Sequence, residues 1–190
     1  MPTLQLVVTS MALLGASSLV GASLYDAVVL APNLKGGPVG LEHGRLFMAN
    51  ATPANLFRTL SPATQVLLLV AIVVNWPAPE RRWPLIGALV AIVLCDVITF
   101  KYHYPRLRVM FTAPLTVEPV RVTVAARQWA AANLIRVALL IGSWCATLIA
   151  LIALVQAAHP GSGAWHARAS ESLFAFGASL ATDAPPVRHR

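Results

Sequence analysis

The sequence predicts an all-α fold: a four-transmembrane-helix bundle with a short C-terminal amphipathic interfacial helix. Three observations predict it. The 190 residues are 57% hydrophobic and only 11% charged, against about 25% charged in an ordinary soluble domain, and the mean hydropathy is +0.70. Four apolar runs, at about residues 3–30, 55–76, 83–102 and 126–158, each reach the roughly 20 residues that a helix needs to cross a bilayer core. Between them lie stretches rich in Pro, Gly, Trp and Arg, the composition of turns at a membrane surface. The four runs make one domain, residues 1–158, and residues 159–190 supply the interfacial helix and a flexible tail.

The first run has no basic leader and is too long for a signal-peptide core, so it reads as a helix. Its small residues, among them Ser17, Ser18, Gly21 and Ala22, invite close approach of a neighbour. Tyr25 and Asp26 interrupt the run near its end, and Asp26 is either an interface residue or part of a polar site. Residues 31–62 then carry Pro32, Gly36, Gly37, Pro38, Pro53 and Pro62, which are expected to break regular structure apart from one short interfacial helix at about 41–51. Thr52-Pro53 and Ser61-Pro62 each have the form of an N-cap followed by proline at the first helical position. The second helix is therefore expected to begin broken or kinked.

Trp76 and Trp83 flank a tight turn, where indoles anchor helices at headgroup level. The third helix is expected to end at Tyr102-His103-Tyr104-Pro105, an aromatic belt closed by a helix breaker. The fourth opens with Trp129, Asn133 and Arg136 on one face and runs on through 22 residues without a charge, 137–158. An arginine at such a place is expensive unless paired, snorkelling or working. Farther on, Trp165, Ala169, Leu173, Phe176 and Leu180 repeat at helical spacing, the pattern of a helix lying on the bilayer.

In a soluble chain the net charge of +7 would suggest a nucleic-acid partner. Here the basic residues sit in short loops, so the lipid bilayer and its headgroups account for them and no nucleic acid is expected. Eight Lys and Arg fall on the side of loops one and three and five on the other, which places loops one and three in the cytoplasm and both termini outside. The Ala-rich composition points to a multi-pass protein of a bacterial inner membrane. Cys95 and Cys145 lie in apolar spans at different depths, so no disulfide is expected.

Polar residues from four stretches converge on one end of this bundle: Tyr25 and Asp26; Asp96; Tyr102, His103 and Tyr104; Trp129, Asn133 and Arg136. A carboxylate and a guanidinium that meet in low dielectric hold each other charged. Asp96 and Arg136 are thus expected either to lock helices three and four structurally or to wall a polar pocket, with separate snorkelling as a third reading. A cavity lined by Asp96, Asn133 and Arg136 favours an enzyme; a tightly packed pair favours a scaffold. His43, His103, Asp26 and Asp96 share no metal-binding spacing, so a metal or haem site is a minor alternative and no cofactor is assigned. No phosphate loop, nucleophile elbow or dinucleotide fingerprint occurs.

Trp129-x3-Asn133-x2-Arg136 opening the last helix resembles a family of small four-helix membrane proteins that includes the anthrone oxygenases. Tyr25-Asp26 followed by Ala31-Pro32-Asn33, and Thr99-Phe100-Lys101-Tyr102-His103-Tyr104-Pro105 after helix three, support the resemblance. It covers roughly residues 5–155. Where the oxygenase members carry asparagines after helix three, this chain reads Tyr104-Pro105-Arg106-Leu107. The resemblance implies oxidation of an activated aromatic CH₂, or of a related quinone-like substrate, to a carbonyl by dioxygen without a metal. Such chemistry needs a base, an oxyanion partner and an apolar slot for a flat ring. The implied roles are Asp96 or His103 as base, Arg136 and Asn133 as oxyanion partners, and Trp129 as a stacking wall. Tyr25, Asp26, Tyr102 and Tyr104 would help to bind the lipophilic small molecule. The alternative is a non-enzymatic membrane subunit or small-molecule-binding scaffold, as a homo-oligomer or in a larger membrane complex.

Overall fold

The computed structural model describes residues 2–112 and 119–158. The order of elements is α1 (Pro2–Tyr25), a π-helical turn (Asp26–Leu30), α2 (Ala31–Leu34), α3 (Gly37–Phe47), α4 (Pro53–Val74), α5 (Pro79–Ile98), a second π-helical turn (Thr99–His103), α6 (Tyr104–Thr112) and α7 (Pro119–Ala158). Four continuous helices are long and apolar enough to cross a membrane: Thr3–Leu34, Pro53–Val74, Pro79–Thr112 and Pro119–Ala158. The amphipathic helix expected around Trp165 to Leu180 lies outside the described residues.

The four long helices form a ring: α1 packs on α4 and α7, and α5 packs on the same two. Small residues set the spacing. A Cβ on Gly15 would sit 2.5 Å from Thr64 Oγ1, so α1 meets α4 this closely only because that side chain is missing. Ala12, Leu19, Leu68, Ala71, Leu85, Ala88, Ile92 and Leu140 fill the main core, while Leu14, Val28, Val66, Val73, Leu134 and Ile149 point outward. An apolar exterior over an interior of small apolar residues is the pattern of helices solvated by lipid.

The ends of the bundle differ. At one end a tight turn joins α4 to α5, where buried Asn75 donates to Ala71 O at 2.9 Å and to Thr9 Oγ1 at 3.4 Å. At the other end the helices overrun. The 40 residues of α7 reach about 60 Å at 1.5 Å per residue, about twice the thickness of a hydrocarbon core. There α3 packs on α2 and α7, and a second core forms from Leu30, Leu34, Leu41, Met48, Met110, Val122 and Trp129. Arg45 ties α3 to this end, giving Nε (2.9 Å) and one terminal nitrogen (2.5 Å) to Met110 O near the C-terminus of α6, where carbonyls lack helical partners.

Two prolines expected to end helices do not. The first helix continues through Pro32 to Leu34, and the third through Pro105 to Thr112. Both prolines follow a π turn by the same offset. Ala31 N–H donates to Asp26 O and Tyr104 N–H donates to Thr99 O, each reaching five residues back, and the proline comes next. Proline lacks an N–H and its ring collides with the carbonyl four residues back in a tight α turn. A π turn is wider and displaces the hydrogen-bond ladder, so the ring fits without ending the helix. Ser61-Pro62 likewise starts no helix: α4 runs unbroken from Pro53, with Pro62 inside it and extended Thr52 (φ −117°, ψ 156°) as its N-cap. The short helix in loop one begins earlier than expected, at Gly37, whose φ of 82° makes the turn out of α2.

Candidate functional site

A cavity of about 280 Å³ opens at the overrunning end of the bundle, among α2, the start of α4, α6 and α7. It is graded from inside to outside. Asp26, His103, Trp129 and Arg136 form its floor, only 2%, 1%, 4% and 4% exposed. Leu30, Leu34, Met48, Phe57, Leu107 and Phe111 make apolar walls, and exposed Thr52, Arg58 and Arg108 stand at the rim. Its volume sits near the lower end of the range of about 300–1,000 Å³ typical of small-molecule pockets.

Both π turns deliver a floor residue. Asp26 opens the first and His103 closes the second, and insertion of a π turn re-aims the side chains around it relative to the α-helical register. From α7, Trp129 and Arg136 are seven residues apart, two helical turns along one face. Arg136 reaches Asp26 Oδ2 at 4.0 Å and donates to Asn133 Oδ1 at 3.2 Å. Its guanidinium lies over the Phe57 ring, 4.6 Å from the centroid, a cation–π contact of about 2 kcal/mol when desolvated. The His103 ring meets Trp129 edge-on, with centroids 5.9 Å apart.

Five buried polar atoms on these four side chains have no hydrogen-bond partner: Asp26 Oδ1, His103 Nδ1 and Nε2, Trp129 Nε1 and Arg136 Nε. Each buried unmade hydrogen bond costs about 1–3 kcal/mol, so native proteins hold few of them and rarely cluster them. All five belong to side chains that line the same cavity. Two of these atoms are N–H donors, one is a carboxylate oxygen, and imidazole can accept and release a proton.

The expected Asp96–Arg136 pair does not form. Asp96 lies on the α5 face that meets α4, where it accepts from Ser61 Oγ at 3.1 and 2.9 Å and from Gln65 Nε2 at 2.6 Å. Arg136 pairs with Asp26 of the first helix instead. The two residues sit on different faces, which an apolar pattern without phase cannot reveal. Asp96 does not line the cavity.

Among the other expected site residues, Tyr104 lines the cavity and packs edge-on against Phe100 at 5.2 Å. Asn133 is fully buried behind Arg136, donating to Ser23 O at 3.4 Å, so it holds the guanidinium rather than lining the pocket. Tyr102 is covered by Arg106, 3.2 Å from its centroid. Tyr25 borders a separate surface pocket with Asn33, His43 and Phe47. Phe57, Thr99 and the rim arginines Arg58 and Arg108 are cavity residues that sequence reasoning missed. The signal for Phe57 was present: Phe57, Ser61, Thr64 and Leu68 recur at three- and four-residue steps on the inward face of α4. Among the described residues, no three His, Cys, Asp or Glu cluster as metal ligands, and both cysteines are free.

No protein-family model, curated protein or solved structure matches the chain.

Proposed function

We propose that this chain is a multi-pass membrane oxygenase that oxidises a flat, lipophilic aromatic or quinone-like molecule with dioxygen, in the manner of the anthrone oxygenases it resembles. The observation that carries this reading is the floor of the cavity, where unpartnered proton-accepting and donating atoms meet between apolar walls. An apolar pocket with a few convergent polar groups is the usual form of a small-molecule site.

His103 acts as the base in this reading, because its imidazole lines the cavity floor and makes no ion pair among the described residues, whereas the Asp26 carboxylate faces Arg136. It takes a proton from the acidic CH₂, and the negative charge left on the substrate's oxygen is stabilised by Arg136 and the Trp129 N–H. The carbanion adds O₂ to form a peroxide. His103 returns the first proton to the peroxide anion, loss of the second C–H proton with departure of hydroxide then yields the carbonyl, and the hydroxide takes up that second proton as water. One CH₂ and one O₂ give one carbonyl and one water, four electrons passing from carbon to oxygen. Dry apolar walls protect the carbanion from reprotonation by bulk water.

The membrane setting that fits this reading is a bacterial inner membrane with loops one and three cytoplasmic. Oxygen uptake by purified protein with anthrone, measured above the protein-free rate, tests the proposal. Wild type should consume O₂ and release anthraquinone, and His103→Ala should lower the rate by about 10²–10⁴-fold. A wild-type rate equal to the protein-free rate would sink it.

A further inference from the structure

The charge around the cavity is unbalanced. Its lining holds three arginines, Arg58, Arg108 and Arg136, against one carboxylate, Asp26. That carboxylate lies at the floor facing Arg136, so it neutralises the deep guanidinium and leaves both rim guanidiniums without a counter-ion in the lining. The Arg58 guanidinium lies over the Tyr104 ring, 5.9 Å from its centroid, and neither Arg58 nor Arg108 makes an ion pair with a carboxylate among the described residues. They come from different elements, α4 and α6, and both line the cavity.

We infer that Arg58 and Arg108 are specificity residues that select a ligand carrying a fixed negative charge at the end opposite its ring. The inference rests on the reading of the cavity as a site for a flat lipophilic molecule and specifies which such molecules it takes. Apolar walls six side chains strong separate floor from rim, so a bound molecule presents its ring system inward and its charged group outward. At the rim that group keeps part of its hydration while two guanidiniums approach it, which avoids the cost of burying an anion outright. Like-signed charges at the rim also concentrate anions from solution. The chemistry is that of an aromatic carboxylate dispersed at the membrane surface. A phospholipid phosphate shares the anion-on-apolar-body character, and the experiment separates the two.

Binding of anthracene-9-carboxylate and anthracene-9-carboxamide is measured by fluorescence on the full chain in nanodiscs, with empty nanodiscs subtracted. In phosphatidylcholine, wild type should hold the carboxylate about tenfold more tightly than the carboxamide. Arg58→Gln with Arg108→Gln should abolish that preference while the carboxamide still binds, and Arg58→Lys with Arg108→Lys should restore most of it. Equal affinities in wild type overturn the inference and leave the cavity reading standing. Loss of both probes together in the Gln variant also overturns it, because the arginines then serve only the fold. A preference that vanishes when phosphatidylglycerol is added overturns it in favour of a lipid headgroup at the rim. If neither probe binds wild type, the cavity reading falls too.

Discussion

Arg136 shows how one residue is held in a place that ordinarily rejects it. A charged side chain within a membrane helix costs about 2.5–3.5 kcal/mol on insertion scales, and Arg136 is 4% exposed. Asp26, Asn133 and the Phe57 ring surround its guanidinium, so the charge is met on three sides by groups from three helices. Removing one partner of a buried pair costs about 3–5 kcal/mol, because the other charge is stranded. Arg136→Gln should therefore lower thermal stability in detergent by that order, and adding Asp26→Asn should return most of it. Simply additive losses across the four-member cycle would show that the two do not pair. Sequence reasoning found Asp26, His103, Trp129 and Arg136, because polar residues at the ends of apolar runs stand out. It assigned Arg136 the wrong partner, because Asp26 and Arg136 are 110 residues apart in the chain and nothing local encodes their meeting.

At the scale of elements, the polar clamp between α4 and α5 and the two π turns divide the labour. Asp96 is clamped by Ser61 and Gln65, where two donors, one hydroxyl and one amide, satisfy a carboxylate that would otherwise be costly within a helix pair. The clamp fastens α4 to α5 one turn from Phe57, and so fixes the wall on which Arg136 rests. Taking away one donor leaves the acceptor unsatisfied, at about 1–3 kcal/mol, whereas replacing all partners by apolar groups is close to neutral. Ser61→Ala alone should thus lower the unfolding temperature more than the combination Ser61→Ala, Gln65→Leu and Asp96→Leu. The reverse order would mean the clamp contributes little. The prolines after the π turns were legible as breaks but not as continuations. A breaker marks where the α ladder cannot go on; whether the chain stops or widens there depends on what packs around it. Here Leu30 and Leu34 in one helix and Leu107 and Met110 in the other bury against α3 and α7, so carrying the helix forward gains apolar contacts that a break would lose.

At the scale of the whole molecule, the uneven lengths of the helices set its orientation test. The tight turn after α4 and the overrunning end with α3 belong to opposite faces of any bilayer the bundle crosses. In a background of Cys95→Ala and Cys145→Ala, Pro77→Cys should react with a membrane-impermeant maleimide from outside intact cells. Asn50→Cys should react only after the membrane is opened. The opposite pattern would invert the orientation expected from the basic residues without altering the fold. The sequence by itself determined that four helices are long and apolar enough to cross a membrane, and which end of the bundle gathers polar residues. Both follow from composition and from the length an apolar helix needs in lipid, quantities summed along the chain. Only the tertiary structure decided that Asp26 rather than Asp96 faces Arg136, that His103 and Trp129 share a cavity floor, and that Arg58 and Arg108 flank its mouth. Those depend on the rotational phase of each helix about its axis, and two π turns shift that phase partway along two of them.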